Sequence, residues 1–442
     1  MINVSANIKA LFVAATAVMV VLLYFLSLGT ASNTLNLVGF ACLVGTSLFI
    51  LKSKGGWIFF LYAFGLTFAS ASGVLDEFLE IYLFEIGEIA SLSGAAARNA
   101  FLSSSFLVMA YGTYRFFLRF LPHRLPRIKT GETIAIKILL AIAFAAPIYI
   151  AVVLFIFGSP LFLGIDRFVY FTNIAPRGYV WLYGNIPLLG FVIAFCAYKG
   201  TIRHRTSTIW LIFTVTTYIF AGEKFSQLLL LGFFFFLPFF LISSPIIKVK
   251  HIIAGATALF CMGSLVVFNY IAVYGSSEIF VPRLALQGQM NYALDLITDS
   301  TQPVSNIIKC FAGIGAQDVE HGLVYLMYLV APQSVVDLRI EYGATFTAPF
   351  PANISYFFGY YLSPLAIIAL SIILGAISSI LHISIVSLNI ILSGLVLKTF
   401  LLTYVAIMMG NMSLLLGPKG AIHFGAIFFY LIIAYASSRQ RT

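Results

Sequence analysis

Basic side chains that could hold a phosphate group are concentrated in two aromatic-rich segments of this chain. Arg167 and Arg177 lie within GIDRFVYFTNIAPRGY, and Arg283 and Arg339 lie near the two ends of a longer segment. Arginine suits phosphate because its planar guanidinium presents paired N–H groups to the oxygens. If these arginines converge, they form a cationic site for a lipid diphosphate. Alternatively, each arginine is solvated or paired with an acid that is close to it in sequence.

Carboxylate and imidazole groups that could accept a proton from a substrate hydroxyl occur in the same parts of the chain. The candidates are Glu223, Asp318, Glu320, His321, Asp337 and Glu341, of which we favour Glu341 or His321 as the base. Glu223 directly precedes Lys224, which could face the diphosphate while Glu223 holds it in place or acts as the base. The alternative for Glu223 and Lys224 is a local ion pair that caps a helix turn.

Several other chemistries lack their usual sequence signatures. The chain has no Asp-x-Asp pair and no His/Asp/Glu cluster with metal-ligand spacing, so we expect neither a metal nor another cofactor. It also has no phosphate-binding glycine loop and no Gly-x-Ser-x-Gly motif, which argues against ATP hydrolysis and serine esterase activity. The four cysteines form no disulfide framework and are expected to be small buried residues.

The composition indicates that these residues are positioned by helices that lie in a membrane. Hydrophobic residues make up 61% of the 442 residues and charged residues only 9%, against about 25% charged residues in a soluble domain. An all-α integral membrane protein is therefore predicted, with no separate soluble domain. The net charge of +10 would suit nucleic acid in a soluble protein. Here membrane topology explains the charge better, because cytoplasmic loops collect lysine and arginine.

A window of about 20 residues predicts twelve membrane spans. They cover residues 9–29, 35–51, 56–75, 99–118, 134–158, 179–198, 207–221, 227–247, 252–273, 357–378, 386–409 and 420–437. Nine spans thus occupy residues 1–273, a large loop covers residues 274–356, and three spans occupy residues 357–442. The apolar stretch EHGLVYLMYLVAP (320–332) within the loop is too short to cross a membrane and predicts a re-entrant or interface-lying helix.

Charge asymmetry predicts the sidedness of these spans. With the amino terminus in the cytoplasm, most of the 25 basic residues fall on the inner side, and Glu132 is the only one of the 15 acidic residues there. Both termini are therefore predicted to be cytoplasmic. Glu223 and Lys224 then lie in an outer turn between spans seven and eight, and the large loop faces the same side. Lys398 lies in the middle of span eleven, where it has a function, extends toward water or pairs with an acid.

Three features together resemble the Wzy-type polymerases of O-antigen repeat units. One is the plan of about twelve spans with a large periplasmic loop in the second half. The second is GEKFSQLLLLGFFFFLP (222–238), which is similar to a Gly-x-Lys-aromatic segment that opens a helix in these proteins. The third is EYGATFTAPFPANISYFFGYY (341–361), which is similar to a recurring pattern of Gly-x-Thr, Pro, Tyr and Phe-Gly. Its residues include Tyr342, Gly343, Thr345, Asn353 and Tyr356, with Asn353 standing where many relatives carry a glutamate.

The resemblance implies an O-antigen polymerase, a metal-independent glycosyltransferase with a GT-C-like fold in the bacterial inner membrane. Its active site would face the periplasm. Donor and acceptor would both be undecaprenyl-diphosphate-linked oligosaccharides, and membrane lipid and a chain-length regulator protein would be partners, with no nucleic acid. The growing chain would leave its lipid diphosphate and move to a hydroxyl of the next unit. Cationic side chains would stabilise the leaving group: Arg283 and Arg339, supported by Arg167, Arg177 and Lys224.

Other functions are compatible with the same sequence. An O-antigen ligase uses the same donor with a lipid A core acceptor, and a flippase or other sugar transporter forms no bond. A transporter is expected to carry charged residues in several spans, whereas the charge within these spans is essentially Lys398. A membrane acyltransferase commonly pairs a histidine with an acid, and His423 has no acid close to it in sequence.

Overall fold

The computed structural model describes residues 4–122, 129–223, 225–243 and 284–439, together with Ser264, Phe268 and Ile271. The helices, in chain order, are α1 (Val4–Leu28), α2 (Asn33–Lys52), α3 (Phe60–Leu79), α4 (Ala95–Phe120), α5 (Lys129–Phe157), α6 (Pro160–Leu163), α7 (Arg167–Asn173), α8 (Tyr179–Tyr198), α9 (His204–Phe220), α10 (Ser226–Ser243), α11 (Gln289–Leu296), α12 (Val304–Asn306), α13 (Gly322–Val330), α14 (Gln333–Glu341), α15 (Ala352–Val386), α16 (Ile390–Met408), α17 (Ser413–Leu416) and α18 (Pro418–Arg439). Two-residue strands, Tyr82–Leu83 and Glu88–Ile89, pair as an antiparallel hairpin.

Eight helices of the described chain are long and apolar enough to cross a membrane, which confirms the prediction of a multi-pass helical membrane protein. They are Asn33–Lys52, Gly56–Leu79, Glu132–Leu163, Tyr179–Tyr198, Ser226–Ser243, Ala352–Val386, Ile390–Met408 and Pro418–Ala436. Three other predicted spans form α1, α4 and α9 but are not among the eight. The remaining predicted span, 252–273, lies outside the described residues apart from its three isolated positions. A total of twelve spans therefore stays a prediction.

Helix α4 lies in the interior of the bundle, which explains why it is less apolar than the eight candidate spans. Residues 95–108 are all buried, and α4 packs against α1, α2 and α15. Small residues permit this close packing: a Cβ on Gly375 of α15 would come within 2.1 Å of the Thr113 hydroxyl oxygen. A helix that is surrounded by protein needs no lipid-facing apolar surface.

Contacts among the described residues group predicted inner connections at one end of the bundle and predicted outer connections at the other. At one end, Glu132 forms an ion pair with Lys199 at 2.8 Å and accepts a hydrogen bond from the backbone N–H of Ile390. We call it the basic end. At the other end, Glu77 accepts hydrogen bonds from the backbone N–H groups of Gly94 and Ala96, at the start of α4. We call this the loop end, because it carries residues 80–94 and 284–351. The sequence predicts that the basic end faces the cytoplasm.

The described part of the large loop is folded onto the bundle. It contains α11 to α14, and α11 packs against α3, α4 and α15. Arg98, near the start of α4, forms an ion pair with Asp295 of α11, and both side chains are largely buried. The short apolar helix expected within residues 320–332 is α13, which buries Leu326 and Met327. The loop therefore forms a cap with its own helices over the loop end.

Gly359 interrupts α15 close to where the sequence places the start of the tenth span. Its φ of +67° is a conformation that glycine adopts most easily. The loop supplies partners for the backbone at this break: the Thr301 hydroxyl donates to the Phe358 carbonyl at 2.8 Å, and the Gln302 N–H donates to the Phe357 carbonyl at 3.0 Å. A Cβ at position 359 would also come within 2.9 Å of the Thr301 nitrogen. The break separates a short helical stretch from the membrane-length remainder of α15.

Candidate functional site

A cavity of about 320 Å³ opens at the loop end, where α7, α8 and the turn before α10 meet the segment after α14. Its volume is typical of small-molecule sites, which range over roughly 300–1,000 Å³. The lining residues are Arg167, Phe168, Phe171, Thr172, Val180, Tyr183, Gly184, Glu223, Gln227, Tyr342 and Gly343. Four of them are also predicted from the sequence: Arg167, Glu223, Tyr342 and Gly343. Because α8 and α10 are candidate membrane spans, the cavity lies at the level where these spans end.

Arg167 is the cationic group of this cavity. It is the first residue of α7, and the preceding Asp166 caps the helix by accepting a hydrogen bond from the backbone N–H of Phe168 at 3.0 Å. The guanidinium forms an ion pair with Glu223 and lies 4.9 Å from the centre of the Phe168 ring. Within the described chain, only Nη1 of Arg167 donates to a protein acceptor. The other N–H groups of the guanidinium are therefore available to a bound anion.

Glu223 holds Arg167 in place. One carboxylate oxygen accepts from Arg167 and from the Tyr183 hydroxyl, the latter at 2.6 Å. The other accepts from the backbone N–H groups of Phe225 and Gln227, each at 3.2 Å, at the start of α10. Burial by itself would raise the pKa of Glu223, but Arg167 and Tyr183 hold the pKa below its ordinary value. A carboxylate stabilised in this ionised form is a weak proton acceptor, so the geometry favours a positioning role over that of a base.

The rest of the lining offers hydrogen-bonding and aromatic surfaces. The side-chain oxygen of Gln227 is buried and has no hydrogen-bond partner in the part of the chain that the structure describes. The rings of Phe168, Phe171 and Tyr342 form part of the wall, and Tyr342 is 46% exposed. A guanidinium, an unpartnered amide oxygen and aromatic faces together suit a ligand with an anionic group and hydroxyls.

Arg339 and Arg177, the other predicted cations that the structure describes, do not line this cavity. Arg339 of α14 forms an ion pair with Glu85, and the second oxygen of Glu85 accepts from the Gln289 side chain. Arg339 therefore ties α14 to α11 and to the connection after α3. Arg177 is exposed in the connection between α7 and α8. Two predicted cations lie outside the described residues: Arg283 and Lys224.

The two bases favoured by the sequence occupy different surroundings. Nδ1 of His321 lies 2.9 Å from the Gln317 carbonyl oxygen, and Nε2 lies 3.1 Å from the Ser413 hydroxyl. Both ring nitrogens thus have protein partners, and His321 does not line the cavity. Glu341 is exposed at the last position of α14, immediately before Tyr342, which does line it. Of the two, Glu341 is the residue that the chain brings next to the cavity.

The residues of the 341–361 motif are divided between the cavity and the core. Tyr342 and Gly343 line the cavity, and Thr345 is exposed just beyond them. Asn353 is 1% exposed, and neither polar atom of its side chain has a partner among the described residues. Tyr356 is buried in the same helix. Only the first part of the motif therefore faces the cavity.

Tyr183 and Gln227 are site residues that the sequence did not reveal. Gln227 follows Glu223 by only four residues, and this closeness in sequence to a candidate residue is the available signal for Gln227. Tyr183 carries no comparable signal, because its hydroxyl reaches Glu223 only after α8 packs against α10.

Lys398 lies apart from the cavity lining, in the middle of α16. Its Nζ is 3.4 Å from the side-chain oxygen of Asn185 in α8. Within the described chain, no carboxylate forms an ion pair with it. Its partner in the described chain is thus a neutral amide.

Comparison with known proteins gives one similarity. Residues 316–424 match the model of a family of unknown function, DUF6418. No curated protein and no solved structure matches the chain. The matched segment runs from before α13 into α18, and it contains Glu341, Tyr342 and Gly343 but not Arg167 or Glu223. The chain thus resembles this family over the segment that contributes one wall of the cavity.

Proposed function

We propose that the protein is a membrane glycosyltransferase that polymerises oligosaccharide units carried on a lipid diphosphate, as in O-antigen polymerases. The observation that carries the proposal is the cavity at the loop end, where Arg167, Glu223 and Tyr342 meet at the level of the span ends. A substrate with a prenyl tail in the membrane and a diphosphate at its surface has its charge at this same depth. The cavity combines a cation for that charge with aromatic and amide groups for sugars.

Arg167 binds the leaving diphosphate in this proposal. Negative charge develops on the diphosphate as its bond to the sugar breaks, and a cation that is already oriented stabilises that charge without reorganisation. Glu223 and Tyr183 supply the orientation, since Glu223 is itself fixed by hydrogen bonds from Tyr183 of α8 and Gln227 of α10. The N–H groups of Arg167 that have no acceptor in the described chain point to an anionic ligand.

The acceptor sugar lies between Arg167 and the segment after α14. Its hydroxyl oxygen forms a bond to the anomeric carbon of the donor, the bond from that carbon to the diphosphate breaks, and the hydroxyl proton moves to Glu341. The side-chain oxygen of Gln227 accepts a hydrogen bond from a sugar hydroxyl, and Tyr342 packs against a sugar ring. Glu341 is exposed and adjacent in sequence to Tyr342, which supports its assignment as the base.

The proposal extends to the arrangement in the cell. The protein has twelve spans in a GT-C-like arrangement in the bacterial inner membrane, with both termini in the cytoplasm and the loop end in the periplasm. The supporting observation is the charge distribution, in which lysine and arginine are concentrated in the connections of the basic end. Undecaprenyl-diphosphate-linked units then reach the cavity from the outer leaflet, and a chain-length regulator has access to the loop end.

A gel of surface polysaccharide from a strain deleted for this gene tests the proposal. A polymerase predicts lipid-linked core with a single repeat unit in the deletion strain, and a ladder after complementation. Bare core with polymer on undecaprenyl diphosphate would instead identify a ligase. Bare core without lipid-linked units on the outer face would identify a flippase.

Variants then connect the activity to the cavity. Arg167→Ala should reduce polymer formation about 100-fold or more, because it removes the proposed donor to the developing charge. Arg205→Ala makes the same change at an exposed position of the basic end and should retain the ladder. Both proteins should be present in the membrane at wild-type levels by immunoblot. A full ladder with Arg167→Ala would remove Arg167 from the diphosphate site.

A further inference from the structure

Four exposed cations lie at the basic end, where the packed helices α2 and α4 finish. Lys52 is the last residue of α2, and Lys54 follows two residues later. Arg115 and Arg119 lie in the last two turns of α4. Both helices begin at the loop end, where Asn36 of α2 accepts a hydrogen bond from the first turn of α4. Their last turns therefore lie at the opposite end of the bundle, and we call these four residues the α2–α4 patch.

The connection after α2 brings the cations of the two helices together. Nη1 of Arg115 donates to the backbone carbonyl of Lys54 at 3.4 Å. Gly55 has a φ of +77° and lies so close to the Tyr114 hydroxyl that a side chain would not fit there. Arg119 follows Arg115 by four residues, a spacing that places two side chains on one face of a helix. The position of Lys54 beside this face of α4 is therefore fixed by the backbone.

The part of the chain that the structure describes does not neutralise the α2–α4 patch. No carboxylate there forms an ion pair with any of the four cations. Glu132, an acid of the basic end, is instead paired with Lys199 at 2.8 Å. Like charges that lie close together repel one another, so the patch favours an anionic partner.

Exposed apolar rings lie beside the cations of α4. Phe116 and Phe120 are 54% and 72% exposed, and the centres of their rings are 4.8 Å apart. Each ring directly follows an arginine in the sequence, so cationic and apolar groups alternate along the last turns of the helix. Apolar rings at the end of a membrane helix contact acyl chains, while cations at the same level reach the lipid phosphates. The patch thus has the two kinds of surface that a phospholipid presents.

We propose that the α2–α4 patch binds the headgroup of an anionic phospholipid. Arg115 and Arg119 donate N–H groups to the phosphate oxygens, and Lys54 adds its positive charge. Phe116 and Phe120 contact the acyl chains of the same lipid. A zwitterionic phospholipid binds less tightly, because its own ammonium group cancels the phosphate charge. The patch and the Arg167 cavity lie at opposite ends of the bundle, so this inference does not depend on the proposed glycosyltransferase activity.

Native mass spectrometry of the delipidated full-length protein in detergent tests the site. Phosphatidylglycerol and phosphatidylcholine with identical acyl chains are added at equal concentrations, and the bound lipids are counted. The wild-type protein should retain phosphatidylglycerol in preference to phosphatidylcholine by about 10-fold or more, since each cation at a membrane surface contributes about fivefold in binding. Arg115→Gln with Arg119→Gln should weaken phosphatidylglycerol binding about 30-fold, and Lys54→Gln about 5-fold.

A matched control separates this patch from the general excess of cations at the basic end. Arg203→Gln with Arg205→Gln removes two exposed arginines from the connection before α9 and should leave the lipid preference unchanged. Size-exclusion chromatography checks the folding of every variant, and Lys54→Gln provides the test even if the double arginine variant does not fold. Equal binding of the two lipids to the wild-type protein would overturn the proposal. A preference that survives in folded Lys54→Gln and in the double arginine variant would overturn it too.

A second arm distinguishes a phospholipid from a free phosphate. Inorganic phosphate at the same concentration should not displace phosphatidylglycerol, because it has no acyl chain to contact the rings. Phe116→Ala with Phe120→Ala should weaken phosphatidylglycerol binding without changing folding, since both rings are exposed. Displacement by inorganic phosphate, or wild-type binding in this double variant, would show that the lipid is not the ligand of the patch.

Discussion

Replacing Glu223 with glutamine tests the ion pair at the centre of the candidate site. Glutamine keeps the length of the side chain and one oxygen, which can still accept from the backbone N–H groups of Phe225 and Gln227. Its amide nitrogen is a donor and would face two other donors, the guanidinium of Arg167 and the hydroxyl of Tyr183. The substitution therefore removes two hydrogen bonds to a charged acceptor and leaves Arg167 without its partner.

The structure gives the size of the expected effect. Hydrogen bonds to charged groups contribute about 1.5–3 kcal/mol each, and removing one member of a buried ion pair costs about 3–5 kcal/mol. The side chain of Glu223 is 0% exposed but that of Arg167 is 16% exposed, so we expect the lower end, about 3 kcal/mol. An unfolding entropy of about 2.1 cal/mol/K per residue gives about 0.9 kcal/mol/K for 442 residues. The melting temperature should therefore fall by about 3 °C.

The assay is thermal unfolding of the purified protein in detergent, followed by tryptophan fluorescence at one heating rate. Glu80→Gln makes the same chemical change at an exposed position and should alter stability by less than about 0.5 kcal/mol. The double variant Arg167→Met with Glu223→Gln should be about 2 kcal/mol more stable than the sum of the single losses, because neither charge is then left unpaired. Equal melting temperatures for Glu223→Gln and Glu80→Gln, or strictly additive losses in the double variant, would refute this account of the site.

Three further experiments test the ionisation of Glu223, the ion pair of Arg339 with Glu85, and the role of Tyr342. Although burial opposes ionisation, Arg167 and Tyr183 lower the pKa of Glu223, so its stabilising effect is present at neutral pH and is lost as the pH falls through that lowered pKa. The melting-temperature difference between wild type and Glu223→Gln should thus be constant from pH 8 to about 5 and disappear at lower pH, and a difference that grows on acidification would contradict this. Arg339→Ala should lower the melting temperature, and Arg339→Ala with Glu85→Gln should recover most of the loss; an equal loss in both would exclude the ion pair as the cause. Tyr342→Ala should raise the KM for the lipid-linked donor about 5–10-fold with little change in stability, whereas Tyr361→Ala, at a 79% exposed position, should change neither; an unchanged KM would exclude Tyr342 from the site.

Much of the fold could be predicted from the sequence because hydropathy and charge act locally. A run of about 20 apolar residues must be helical in a membrane, since its backbone groups have no other partners there. Eight predicted spans appear in this way among the described residues. The predicted span 99–118 forms α4, which is less apolar than these eight because it is enclosed by protein and carries three serines and one asparagine.

The ion-pair partners of the predicted arginines could not be predicted from local sequence. Acids close in sequence, Asp166 and Asp337, were the available partners for Arg167 and Arg339. In the folded chain Asp166 caps α7, and Asp337 accepts from a tyrosine hydroxyl. The ion pairs form with Glu223 and Glu85, which lie far along the chain. The sequence thus singled out these arginines because they lie on the predicted outer side, where basic residues are scarce. Helix packing decided which carboxylate each one contacts.

By itself, the sequence determined the class of protein, the positions of most membrane helices and the separation of basic and acidic connections. These properties follow from the transfer energies of individual residues, which are fixed by residue type and local order. Only the tertiary structure decided that Arg167, Glu223 and Tyr342 share one cavity. This site combines side chains from elements distant in the chain, so its geometry arises from helix packing and carries no local signature.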